Sequence, residues 1–182
     1  TNMTSMFNGA SEFNQNISTW KTDSLETMLW IFRDATSFNQ NINYNVDQGY
    51  WNTTTVTNMN GVFWGASSFN SDIGLWDVSG VSIMYNVFRN ASEFNQDISY
   101  WNVGSASLMN NMFNGASKFN RNISTWDVGD VTKMINIFKD TTVFNQDLSS
   151  WSVCSVDNYS NWASGSAIYN ATDNHPKWDD CS

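Results

Sequence analysis

The sequence is poor in several things that soluble domains ordinarily carry. Charged residues make up 14% of its 182 residues, where roughly 25% is usual. Only eight are Lys or Arg against seventeen Asp and Glu, which leaves a net charge of −9. That balance argues against nucleic acid or an anionic membrane surface as a partner. No apolar run reaches the ~18 residues that a membrane span requires, so no membrane insertion is expected. There is one histidine, His175, beside the one proline, Pro176. No Gly-rich phosphate loop, HExxH or GxSxG pattern occurs, so no catalytic site and no enzyme activity is expected. Acids such as Asp77 and Asp127 read as solvent-facing turn residues.

What the chain does have is Phe, Trp and Asn. Aromatics reach 15%, with twelve Phe and ten Trp, and 27 residues are Asn. Such a chain is not disordered. The excess is periodic. Phe-Asn recurs at Phe13, Phe38, Phe69, Phe94, Phe119 and Phe144, at spacings of 25, 31, 25, 25 and 25. Trp20, Trp51, Trp76, Trp101, Trp126 and Trp151 follow in phase, as do Met3, Met28, Met59, Met84, Met109 and Met134. A second Phe stands four residues after each Met, and the two ladders use all twelve Phe. The 31-residue step carries an insertion at 44–49.

Within a unit, Val56, Met59, Phe63 and Ala66 fall at helical spacing. Thr57, Ser82, Ser107, Thr132 or Asp157 precedes this stretch as a candidate N-cap. Gly9, Asp34, Gly65, Asn90, Gly115 or Asp140 follows it, residue types that tolerate a left-handed C-terminus. The spacing thus predicts a two-turn helix, roughly 58–64 in this unit. Residues 97–103 read as one or two very short strands followed by a turn. Neither piece buries its apolar face alone, whereas stacked units do. The expected fold class is an α/β repeat solenoid, leucine-rich-repeat-like, with short parallel strands and one short helix per coil. The Asn after each first Phe is expected to bond backbone groups left unpaired at the turn.

The unit F-N-Q-[ND]-I-S-x-W-[DN]-V, closing on M-x-x-[MVI]-F-x-[GN]-A-S, resembles the repeat of BspA-like surface proteins, a leucine-rich-repeat-like group. The resemblance covers about residues 1–153 and departs from the pattern at residues 44–49 and after Trp151. It implies a solenoid, a cell-surface or extracellular setting and roles in adhesion. It implies no active site.

Residues 154–182 read as a degenerate seventh unit, with Tyr159 in the Met position and Tyr169 in the Phe position. Cys154 and Cys181 bracket it, and a disulfide staple is the expected pairing, with buried free thiols as the alternative. Closing such a loop is worth about 3–4 kcal/mol. Thr1 falls halfway through a unit. A fragment or cleaved chain is one expectation. Another is a partner molecule on that end, and an identical subunit docked there head-to-tail would propagate into a filament.

Asn-x-Ser/Thr sequons occur at Asn2, Asn16, Asn52, Asn90, Asn122, Asn158 and Asn170, about as many as chance gives for 27 Asn in a chain rich in Ser and Thr. N-linked glycans are expected at some of them in a eukaryotic source, first at Asn52, Asn90 and Asn170. Asp72 and Asp97 would be stacked neighbours, which raises the idea of Ca²⁺. Solvated carboxylates repel little, so neither that ion nor any other cofactor is expected. Trp30, Trp64, Trp162, Trp178, Tyr44, Tyr50, Tyr85 and Tyr100 lie off the ladders and suit either a protein contact or carbohydrate. The insertion, with Tyr44, Asp47 and Tyr50, is the one loop that the repeat does not dictate. It is a candidate contact loop or a tolerated surface insertion.

Overall fold

The computed structural model describes residues 2–178. Successive units stack, but they are not made of strands and helices. At the expected helix, Met59, Gly61, Phe63 and Gly65 send their N–H groups sideways to the carbonyls of Ile83, Tyr85, Val87 and Arg89 in the next unit, at 2.7–2.9 Å. The residues between them fold back: Val62, Trp64 and Ala66 donate to the carbonyls of Met59, Gly61 and Phe63 at 3.1–3.3 Å. An α-helix would send every N–H four residues back along its own axis. Here the chain makes overlapping turns, and half of its donors tie one unit to the next.

Two left-handed residues per unit enforce this. Gly61 and Gly65 have φ of 62° and 74°, and the same two places hold Asn86 and Asn90, Asn111 and Gly115, and Asn136 and Asp140. All but Asn86 are the third residue of a turn closed by an i→i+3 bond, the place where a type II turn needs positive φ. The expected strands are missing too. Residues 97–103 form no strand, and Trp101 N–H closes a turn on the Ile98 carbonyl at 3.1 Å. The parallel pairing is single bridges, one per unit, through Thr27, Asn58, Ile83, Leu108, Lys133 and Asn158. Among the described residues the helical pieces are two 3₁₀ turns, Ala167–Asn170 and Thr172–Asn174. The expected α/β leucine-rich-repeat-like solenoid of short strands plus helix is therefore corrected to a stack of turn-built units.

Stacked rings form the core. Within a unit, the two Phe rings lie face to face, as in Phe63–Phe69 and Phe88–Phe94 at 3.8 Å. Between units, Phe63–Phe88 and Phe88–Phe113 stand 5.7 and 5.5 Å apart. The Trp ladder runs beside them, with Trp76–Trp101 at 6.5 Å. Burying an indole requires a partner for its N–H. Trp51, Trp76, Trp101, Trp126 and Trp151 each donate to the carbonyl of Ile17, Ile42, Ile73, Ile98 and Ile123 of the preceding unit, at 2.8–3.2 Å. The Asn ladder binds the turns at the rim. The side-chain oxygens of Asn14, Asn39, Asn70, Asn95 and Asn120 accept the N–H of the next ladder Asn at 2.8–3.1 Å.

The second left-handed position alternates along the stack: Gly9, Asp34, Gly65, Asn90, Gly115, Asp140, Gly165. The alternation is steric. A Cβ on Gly65, Gly115 or Gly165 would collide with the side-chain oxygen of Asp34, Asn90 or Asp140 in the unit before. Each Asx side chain therefore lies across the bare backbone of the following Gly.

The insertion forms a small hairpin. Asn45 and Tyr50 pair antiparallel, and the Asn45 carbonyl accepts Gly49 N–H at 2.7 Å. At the other end, Ile168 is buried and bonds the Phe144 carbonyl through its N–H at 2.7 Å. Trp178 stacks on Tyr159 at 4.2 Å, and His175 meets the edge of Trp162 at 4.9 Å. Cys154 is disulfide-bonded, and its expected partner Cys181 lies outside the described residues.

Candidate functional site

Most outward positions repeat Ser, Thr, Asn or Asp, so departures from that rule locate the candidate site. The position before each ladder Trp holds Thr19, Tyr50, Leu75, Tyr100, Thr125 and Ser150. Leu75 is 62% and Tyr100 88% exposed, on successive units. Val46, in the insertion hairpin that closes on Tyr50, is 73% exposed. Leu75 and Tyr100 line one depression and make an apolar pair along one edge of the stack. A polar row runs next to it through Asn41, Asp72, Asp97 and Asn122. Tyr100 stands between two shallow depressions. One, of about 210 Å³, is lined by Asp72, Gly74, Leu75 and Asp97. The other, of about 570 Å³, is lined by Asp97, Ser99, Arg121, Asn122 and Thr125. Gly74 lets the two units approach closely here, because a Cβ there would lie 2.9 Å from the Asp97 carbonyl.

The carboxylates along this edge already serve the turns. Asp72 accepts Gly74 N–H at 2.8 Å, and Asp97 accepts Ser99 N–H at 3.0 Å. The Ser99 N–H, its hydroxyl and the Arg121 charge together hold the Asp97 carboxyl below the usual Asp value of 3.8. At Asp147, the Ser149 hydroxyl and N–H act in the same direction. A carboxyl whose folded pKa is depressed adds stability above its unfolded pKa and loses it as pH falls through the folded one. Asp97→Asn keeps the acceptor, as Asn122 does for Ser124 N–H at 2.9 Å. The variant should unfold within about 0.5 kcal/mol of the parent at pH 7. Urea titrations at pH 7 and pH 3 should show a smaller acid-side loss for the variant.

The expected sites fall as follows. Asp47 is exposed, while Tyr44 and Tyr50 are half-buried and Tyr44 packs on the core. Trp162 is buried, Trp30, Trp64, Tyr85 and Trp178 are half-buried, and Tyr100 alone of the off-ladder aromatics named from sequence projects almost fully. Five sequon Asn form turns. Asn2, Asn16, Asn52, Asn122 and Asn158 each accept the N–H of the Thr or Ser two residues on, at 2.9–3.1 Å. Asp77, Asp97 and Asp147 do the same for Ser79, Ser99 and Ser149. The Asn-x-Ser/Thr pattern is thus turn chemistry of the repeat. Asn90 is exposed in the left-handed region, and Asn170 ends a 3₁₀ turn. His175 Nε2 lies 2.8 Å from the Ile168 carbonyl. Among the described residues no three His, Cys, Asp or Glu side chains converge on a metal site, and no helix is long and apolar enough to cross a membrane. Reading outward positions by column would have found Leu75, a Leu in a column otherwise Thr, Ser or Tyr.

No curated protein and no solved structure matches the chain. A family model described as "Mycoplasma protein of unknown function, DUF285" matches residues 1–85 and again residues 71–178. Two overlapping matches are what a tandem repeat produces, and together they span nearly the whole sequence. The chain belongs to this DUF285 family of repeat proteins.

Proposed function

We propose that the chain is a non-catalytic structural and adhesive protein of the cell surface or extracellular space, acting through protein contacts along the Leu75–Tyr100 edge. The observation that carries this reading is the pair Leu75 and Tyr100, large side chains left in solvent where three of the other four units have Thr or Ser. Exposed Tyr on a rigid frame is a low-entropy anchor for a partner. The likeness of the units to BspA-like repeats supports the surface setting, and so does the disulfide at Cys154, since such bonds persist in oxidising compartments. N-linked glycans, where the source makes them, are placed on Asn90 and Asn170 before Asn52, whose Nδ2 donates to Asp23 at 3.1 Å.

The test is retention of the labelled chain on immobilised extracellular-matrix proteins. Leu75→Thr with Tyr100→Thr should abolish retention and leave the unfolding midpoint unchanged, since neither side chain is buried. Undiminished retention would sink the reading. The polar row beside Tyr100 favours one alternative, a carbohydrate strand lying over the ring with its hydroxyls on Asp72, Asp97 and Asn122. Binding to a glycan array, lost in the same variant, would assign the edge to carbohydrate instead. Head-to-tail self-assembly is the further part of the proposal. Tyr159, Asn161, Ala163 and Gly165 occupy the donor positions of the last turn run, and their N–H groups meet no acceptor among the described residues. Sedimentation velocity should show concentration-dependent linear oligomers, and a monomer throughout would remove this part.

A further inference from the structure

A second departure from the repeat lies at the fifth residue after each ladder Met. The column reads Asn8, Arg33, Trp64, Arg89, Asn114 and Lys139, with Ser164 at the same place after Tyr159. Arg33 comes from the unit before Trp64 and Arg89 from the unit after it. Their guanidinium carbons lie 4.1 and 4.8 Å from the centre of the Trp64 ring. The indole is therefore sandwiched between two cations, within a chain of net charge −9. A guanidinium placed over a ring face keeps its terminal Nη–H groups as donors, which can take a carboxylate through two parallel bonds.

The charges are only partly answered from within. Arg33 Nε stands 3.2 Å from Asp34 Oδ2, at an angle that makes no hydrogen bond. Arg89 has no carboxylate in ion-pair range among the described residues. Three buried polar atoms on these same units find no hydrogen-bond partner among the described residues: Trp30 Nε1, Arg33 Nε and Asn86 Oδ1. Trp30 itself is held at φ 56° against Gly61, where a Cβ would lie 2.7 Å from the indole. A left-handed Trp over a Gly is costly local structure. Its place beside Arg33, 5.6 Å from the ring centre, gives the cationic column an aromatic wall.

We infer that Arg33, Trp64 and Arg89 form a receptor for an acidic polypeptide strand carrying two carboxylates three residues apart. The spacing argues for this ligand. Arg33 and Arg89 come from units on either side of Trp64, and with the ring centre between them their guanidinium carbons are at most about 9 Å apart. A polyproline II strand turns once every three residues and advances about 3.1 Å per residue, so its side chains at i and i+3 share one face about 9 Å apart. Each carboxylate meets one guanidinium, and the strand between them crosses the Trp64 edge. This column is separate from the Leu75–Tyr100 edge, so the two surfaces stand or fall independently.

The test uses fluorescence anisotropy at low salt with a labelled ten-residue peptide that carries two Glu three residues apart, and its Glu→Gln counterpart. The Glu peptide should bind, weaken as salt rises, and weaken at least about tenfold with Arg89→Ala or Arg33→Ala. Arg89→Lys keeps the charge and spares the fold but loses the fork, and it should bind several-fold more weakly with an unchanged unfolding midpoint. Leu75→Thr with Tyr100→Thr should leave this binding intact. Equal binding of the two peptides, no binding of the Glu peptide, or binding indifferent to both Arg89 variants overturns the inference. A sulfated polysaccharide that binds through Arg33 and Arg89 where the Glu peptide does not would hand the receptor to that ligand class and equally overturn it.

Discussion

Phe88→Ala should cost about 4–5 kcal/mol, near the top of the range for truncating a buried aromatic. The ring is fully buried and touches four others: Phe94 at 3.8 Å, Phe113 at 5.5 Å, Phe63 at 5.7 Å and Trp101 at 6.0 Å. Such pairs add roughly 0.5–1.5 kcal/mol each beyond the area they bury. Every unit leans only on its neighbours, so position along the stack matters. Phe7 is half-buried in the first unit, and Phe7→Ala should cost about half as much. The central variant should also divide the array into two weakly coupled parts. Urea unfolding followed by Trp fluorescence should then broaden or split. Equal losses at Phe7 and Phe88, with one sharp transition in both, would show that the stack behaves as a single unit.

Gly115→Ala should cost about 3–4 kcal/mol. Roughly 1–2 kcal/mol is the penalty of a Cβ in the left-handed region, where φ is 74°. The remainder is the collision with the Asn90 side chain, of the size seen when a packed site is overfilled. Gly9→Ala separates the two terms. Its φ is 73°, but nothing lies within 4 Å of its Cβ, so only the conformational part should appear. Adding Asn90→Gly to Gly115→Ala removes the colliding atoms and should recover most of the steric share. In a double-mutant cycle the pair should couple by about 1–3 kcal/mol. Strictly additive losses would mean that the two positions do not interlock.

The ladders of Phe, Trp and Met were plain in the sequence, and so was the way each unit needs its neighbours. The local conformation was misread for a reason that the residues contain. Met59, Phe63 and Ala66 point inward whether the chain coils as a helix or as overlapping turns, because both bring every third or fourth residue to one side. Apolar spacing therefore could not choose. The deciding residues were the outward ones. Gly61, Asn86, Asn111 and Asn136 sit in the middle of the supposed helix, where Gly and Asn are poor formers, and they recur four residues before the second left-handed position. One left-handed residue was read as a helix stop, whereas two at a fixed spacing indicate turns. The candidate edge was legible only in part. Tyr100 stands out in the sequence as an aromatic off the ladders, whereas nothing in the spacing marks Leu75, because exposure is not written in spacing. The Arg33–Trp64–Arg89 column depends on side chains of three units meeting, which requires the stacking direction to be known.

The Gly and Asx alternation changes what counts as one repeat. By sequence the period is 25 residues, but by shape it is a pair of units. Excising 91–115 would set Asn90 against Asp140, two side chains where the packing has room for one. Excising 91–140 would set Asn90 against Gly165 and preserve the fit. Viable members of such a lineage should therefore lengthen or shorten in even steps, with parity inherited along with sequence.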